Sequence, residues 1–195
     1  MNRLTVRLAL AFSLLGGVPV VGNAWARPAA PVPQPRAAGG GSMNARAVQD
    51  ARPTLDLLIT VRLLAELLDQ RQLMLDAGAS SALDSLLRPL STARALSPSQ
   101  AAALNSAVQL TLTPSQTLVL RQARAALETR AQALMARARF AAPDGPLNLT
   151  LIRYGLMVPG GQATVQLLLG KQVNPFTQAG GQAALLDHLL ALLKG

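Results

Sequence analysis

From residue 46 onward the apolar positions recur every three or four residues, the repeat of amphipathic helices, while runs alternating with period two are sparse. The most apolar stretch opens at Pro53 and Thr54, where Leu57, Val61, Leu64, Leu68 and Leu75 form one seam. Leu58, Leu63 and Leu67 widen the seam, and Gly78 closes it. Asp56, Arg62, Glu66, Asp69 and Arg71 interrupt the run, so the pattern predicts a buried helix and not a membrane span, which needs ~20 mostly apolar residues. Ser81 and Asp84 open a shorter helix with Leu83, Leu86, Leu87 and Leu90 on its apolar face. Pro89, which lacks a backbone N–H, ends or kinks it near Arg88. Ala141-Ala142-Pro143-Asp144-Gly145-Pro146 is a break. Leu147 to Val158 reads either as an extended segment or as a short helix around Ile152. Pro159-Gly160-Gly161 precedes a short helix ending at Gly170, and Asn174-Pro175 is a cap-like turn. The last helix, Gln182 to Lys194, gathers Leu185, Leu186, Leu189, Leu190 and Leu193 on one face and should pack back on the bundle.

Between Leu96 and Phe140 one start signal occurs twice. Ser97-Pro98-Ser99-Gln100 and Thr113-Pro114-Ser115-Gln116 each place a hydroxyl at the cap, proline at the first helical position and glutamine two residues later. The hydroxyl accepts from the glutamine's backbone N–H, and the glutamine side chain reaches back to the cap's own N–H. Proline there loses only an N–H that had no partner within the helix. Helices are therefore predicted from Pro98 and Pro114. Leu96 and Leu112 precede the caps, but Ala101 and Thr117 offer them only a weak staple.

The helix from Pro114 should reach about Phe140 on an apolar stripe of Leu120, Ala123, Leu127, Ala131, Leu134 and Ala138. Arg124 lies at one edge of that stripe and Arg130 and Arg137 at the other, with Arg121 and Arg139 further out. Five arginines against Glu128 alone give the helix a formal charge of +4. Two readings stay open: a solvated face of snorkelling arginine stems, or a docking face for an anionic partner. LSPSQ and LTPSQ resemble the paired LTxxQ motifs of the Spy/CpxP family, small all-helical periplasmic proteins of bacteria. The resemblance covers about residues 96–140. It implies a helical fold and a role as a chaperone or a stress-sensing adaptor.

At the other end of the chain, Arg3 and Arg7 precede a 14-residue apolar run from Leu8 to Val21, followed by Ala24-Trp25-Ala26. This is the layout of a cleaved signal peptide, 1–26, with a mature start at Arg27. No cysteine follows the run, so a lipid anchor there is excluded. Residues 27–45 are rich in Pro, Ala and Gly and lack apolar periodicity, the composition of a disordered linker. The expected organisation is then a helical core, 46–140, with a helical extension, 141–195, packed on it. The fold expected is all-α, an irregular antiparallel bundle of about five to six helices. No internal repeat of about 20–50 residues is visible.

Composition narrows the chemistry. The net charge is +9, falling to +7 without the leader, and only Lys171 and Lys194 among the 18 basic residues are lysine. There is no cysteine, so the fold rests on its core rather than on disulfides, and a thiol nucleophile is excluded. The single histidine, His188, stands beside Asp187; adjacent residues on a helix point ~100° apart, so the carboxylate is badly placed to orient the ring. No phosphate loop, nucleophile elbow, dinucleotide fingerprint or paired-carboxylate pattern occurs, so no catalytic, metal or cofactor residue is assigned and no enzyme is expected. The Asn148-Leu149-Thr150 glycosylation pattern is read as chance. Nucleic acid fits poorly, because Phe140, Tyr154 and Phe176 are the only aromatic residues beyond the leader. The candidate partner face is Arg121, Arg124, Arg130, Arg137 and Arg139, with Ser97, Gln100, Thr113 and Gln116 as caps. Its candidate partners are unfolded or acidic client proteins, or anionic polymers of the cell envelope.

Overall fold

The computed structural model describes residues 40–139, 148–170, 173–178 and 180–194, with side chains described from residue 46 and not at 138, 139 and 170. The expected signal peptide at 1–26 and Phe140 lie outside them, as do Lys171 and the break at 141–146. Among the described residues seven α-helices run in the order α1 Gly40–Asp69, α2 Ala77–Leu87, α3 Pro98–Thr111, α4 Pro114–Arg139, α5 Leu149–Met157, α6 Gly161–Gly170 and α7 Gly181–Leu192. Short 3-10 turns occupy Arg88–Ser91 and Pro175–Thr177. Among the described residues there is no strand, and the helix count is slightly above the expected five to six.

The bundle is built around α1. Leu55, Leu57, Leu58, Ile59, Val61 and Leu64 are all fully buried, and those positions cover most of the helix circumference. A helix that is apolar nearly all round must be enclosed. Here α3, α4, α5, α6 and α7 each pack against it. Leu186 and Leu189 of α7 and Met157 of α5 join the same core, so the last helix does return to the bundle.

Both ends of α1 differ from expectation. It begins at Gly40, ahead of the expected start at Pro53, and carries that proline in its interior. Proline removes one helical hydrogen bond and crowds the preceding turn. Val48 and Ala51, both buried, hold the turns before it to the core, and Arg52 pairs with Asp56 across it at 3.6 Å. The helix ends at Asp69, well short of Gly78. Arg71 takes φ 56°, Gln72 N–H donates to Leu67 O at 2.8 Å, and Arg71 N–H donates to Leu68 O at 3.0 Å. That crossed pair is a Schellman closure, with arginine where glycine is usual. Leu75 therefore lies beyond the helix rather than on its seam.

The α2 cap is Asp76, whose side chain accepts from Ala79 N–H at 2.7 Å, and not Ser81 or Asp84. Asp84 instead pairs with Arg88. Pro89 does stop α2, which gives way to the 3-10 turn at Arg88. The segment left open between strand and helix is α5: Asn148 caps it by accepting from Leu151 N–H at 3.2 Å. Asn174 is fully buried and donates from Nδ2 to Leu90 O and Ala93 O, both at 2.7 Å, while its Oδ1 accepts from Phe176 N–H. It thus ties the two 3-10 turns together. Gln182 donates to Pro159 O at 2.9 Å and to the Thr164 hydroxyl, closing α6 against α7. Gly160, at φ 75°, sits against this knot, and a Cβ there would collide with Thr164 and Gln182.

Candidate functional site

Helix α4 is fixed at its first turn by the second capping box. Gln116 N–H donates to Thr113 Oγ1 at 3.3 Å and Thr113 N–H donates to Gln116 Oε1 at 2.8 Å. The first box is formed as well, at 3.2 Å for Gln100 N–H to Ser97 Oγ and 3.0 Å for Ser97 N–H to Gln100 Oε1. The leucines before the boxes, Leu96 and Leu112, are both buried. One difference separates the copies: Gln116 Nε2 also donates to Met74 O at 2.7 Å, fastening the α3–α4 corner to the loop between α1 and α2. Further along, Arg124 of α4 reaches Asp56 of α1. As α4 runs from Gln116 to Arg124 its partners step back from Met74, just past the end of α1, to Asp56 within it, so the two helices run antiparallel.

The inner face of α4 is narrower than its sequence suggests. Leu120, Leu127 and Ala131 are buried and Ala123 half-buried, but Leu134 is 43% exposed. Full burial ends at Ala131, although Met135 one turn on is still half-buried.

The five arginines fall into distinct surroundings. Arg124 is half-buried, donating from Nη2 to Asp56 Oδ1 and from Nε to Glu128 Oε1 at 3.3 Å. Burial pulls its pKa down, but the hydrogen bonds and charges of Asp56 and Glu128 outweigh that pull and raise it above its ordinary value. Arg124 is thus a strut between α4 and α1 and does not belong to a free docking face. Arg121, Arg130 and Arg137 are exposed, and among the described residues none has a carboxylate within 4.0 Å. The Arg139 side chain lies outside the described residues.

At ~100° per residue, Arg121 lies roughly 160–180° around the helix from Arg130 and Arg137. The buried stripe occupies one of the two sectors between them. The other is the outer face: Leu118, Gln122, Ala125, Thr129, Gln132, Ala133 and Ala136, all exposed and all uncharged. Thr129 turns its hydroxyl onto Ala125 O at 3.0 Å, so even that group is engaged by the helix itself. The arrangement is an uncharged strip of alanine, leucine, threonine and glutamine side chains with a guanidinium on one edge and two on the other. The four arginines of α4 whose side chains are described, Arg121, Arg124, Arg130 and Arg137, do not form a single continuous cationic patch.

Around the strut lie residues to which the sequence assigns no place in the site. Asp56 is held between Arg124 and Arg52. Arg62 pairs with Glu66 at 2.7 Å and donates to Met157 O at 2.8 Å, joining α1 to the end of α5. Arg153 lies over the ring of Tyr154, 5.4 Å from its centroid, within cation–π range. Tyr154 is buried; burial first, and the negative charge of Asp56 second, push its phenol above its ordinary pKa. The i,i+4 spacings Arg52/Asp56 and Arg62/Glu66 were the available signals. His188 faces Asp69 of α1 at 3.6 Å rather than its neighbour Asp187, and both partners are largely exposed.

Among the described residues no group of three or more His, Asp or Glu side chains is placed to hold a metal ion. No helix of the described residues is long and apolar enough to cross a membrane. Comparison with known proteins finds no matching family model, no matching curated protein and no matching solved structure.

Proposed function

We propose that the chain is an exported, non-enzymatic helical binding protein, a chaperone or adaptor of the cell envelope that docks acidic protein segments along the outer face of α4. The observation that carries this reading is the exposed trio Arg121, Arg130 and Arg137, unpaired among the described residues, edging an uncharged strip on a helix anchored by its cap and by Arg124. Guanidinium groups pair carboxylates in a bidentate fork, and the strip between them carries no competing charge. A second copy of the same face is a poor occupant, because it would set these arginines against themselves. The LTPSQ resemblance to the Spy/CpxP motifs supports the chaperone or adaptor role. The export layout at residues 1–26 supports the compartment.

The same guanidinium chemistry suits phosphate, so the second reading is a scaffolding protein held to an anionic wall polymer or lipid. Suppression of aggregation of an unfolding acidic client at low salt separates the two. The first reading expects protection that fades as salt rises. Co-sedimentation with envelope fractions without protection supports the second. Amino-terminal sequencing of the native protein should find Arg27 first; Met1 retained contradicts export.

A further inference from the structure

The last turns of α1 and the middle of α4 leave a cleft of about 230 Å³ between them. Its floor is apolar: Leu63 and Leu67 of α1 and Leu127 of α4, all buried. Ala126 lines it from the α4 side and is exposed, so the wall there is only a methyl group. The volume lies below the ~300–1,000 Å³ of small-molecule sites, so it holds one side chain rather than a whole cofactor.

Three charged groups line the same cleft, Arg62, Glu66 and Arg130. Arg62 is held in place: its Nε donates to Glu66 Oε1 at 2.7 Å and its Nη1 to Met157 O at 2.8 Å. Glu66 is thereby compensated within α1. Arg130, on the α4 wall, is exposed and among the described residues has no carboxylate within 4.0 Å. Two arginines against one glutamate leave the lining with one spare positive charge. Gln70 and Gln72 add two exposed amides, which give and take hydrogen bonds as a peptide backbone does.

At ~100° per residue, Ala126 and Arg130 stand together on the edge that the cleft shares with the uncharged outer strip of α4. A segment lying on that strip with a carboxylate on Arg130 brings its neighbouring side chains to the mouth of the cleft. The spare charge is then met, and what remains to be covered is the leucine floor. We infer that the cleft is an anchor subsite for an apolar side chain, leucine in size, next to an acidic residue of the docked segment. The inference rests on the docking of acidic segments along α4 and adds a sequence preference to it: acidic segments interrupted by an aliphatic residue over wholly polar ones.

The test uses the full-length chain and two fluorescently labelled peptides of equal length and charge. Both are glutamate throughout except for one central residue, leucine in one and serine in the other. Binding is followed by anisotropy at low salt. Burying most of a leucine side chain should make the leucine peptide bind about tenfold more tightly than the serine peptide. Added salt should weaken both and leave their ratio, since screening acts on the charges and not on the apolar contact. Ala126→Gln, an uncharged change at an exposed helical position, should abolish the difference between the peptides with circular dichroism unchanged. Equal affinity of the parent chain for the two peptides overturns the anchor and leaves the docking face standing. A leucine preference that survives in the folded Ala126→Gln variant puts the leucine elsewhere and also overturns the anchor. Binding of neither peptide overturns the docking reading, and the anchor with it.

Discussion

Replacing Asp56 by asparagine removes the charge that holds α4 to α1 and leaves its partner partly desolvated. The Asp56 side chain is 18% exposed and that of Arg124 31%, so the pair lies between two regimes. Breaking a fully buried pair costs about 3–5 kcal/mol, whereas an exposed one is worth about 0–1. Glu128, at 3.3 Å, remains as a second partner for Arg124 and softens the loss. Arg52, more than half exposed and 3.6 Å from Asp56, adds little. The expected coupling between Asp56 and Arg124 is therefore about 1–2 kcal/mol. The assay is a double-mutant cycle by urea denaturation on the parent chain, Asp56→Asn, Arg124→Gln and the double variant, with unchanged slopes as the check on two-state unfolding. The double variant should be more stable than the sum of the single losses allows. A coupling below ~0.3 kcal/mol, the scatter of independent sites, would show that the contact is incidental and that Arg124 is free to serve a partner after all.

Arg71→Gly should stabilise the fold by about 0.5–1 kcal/mol in thermal or urea melts, because the residue closing α1 sits at φ 56°, where glycine has no Cβ penalty. Gln116→Ala should cost about 0.5–1 kcal/mol more than Gln100→Ala, since both lose a capping arm but only Gln116 also holds Met74 O. Tyr154, the only tyrosine, should titrate above the ordinary ~10 in the native chain and near it in urea, read by phenolate absorbance. The sign follows from linkage: the native phenol holds its proton longer, so this contribution to stability is complete below the unfolded pKa and is lost as pH rises through the native one. Asp56→Asn should bring the native value down, because the neighbouring charge is part of what raises it.

The sequence carried most of the helical architecture because its signals were local. Both capping boxes, the stop before Pro89, the start after Pro159-Gly160 and the turn at Asn174 are set by a few adjacent residues, and the structure forms each of them. What was not legible depended on tertiary packing. Pro53 reads as a start, yet buried Val48 and Ala51 carry the helix through it. Arg71 closes α1 although nothing in an arginine signals a left-handed turn. At the site, the stripe of α4 was readable as far as Ala131, but Leu134 follows the same spacing and is exposed, because periodicity cannot say which turns a neighbour covers. Arg124 and Arg130 look alike along the chain; only the placement of Asp56 makes one a strut and leaves the other open.

The most direct test of the α4 docking face is the triple replacement of Arg121, Arg130 and Arg137 by glutamine, leaving Arg124 in place. Glutamine retains helix propensity and much of the stem, so circular dichroism should be unchanged. Binding of a fluorescently labelled polyglutamate peptide to the full-length chain is then followed by anisotropy at low salt and again at ~0.1 M, where exposed charges are screened beyond ~10 Å. Three exposed pairs at ~0.2–1 kcal/mol each predict a loss of about tenfold in affinity for the triple variant, and a shallower salt dependence than the parent's. A folded triple variant that binds the peptide as the parent does, with the same salt dependence, would contradict the account and leave these arginines as a solvated surface.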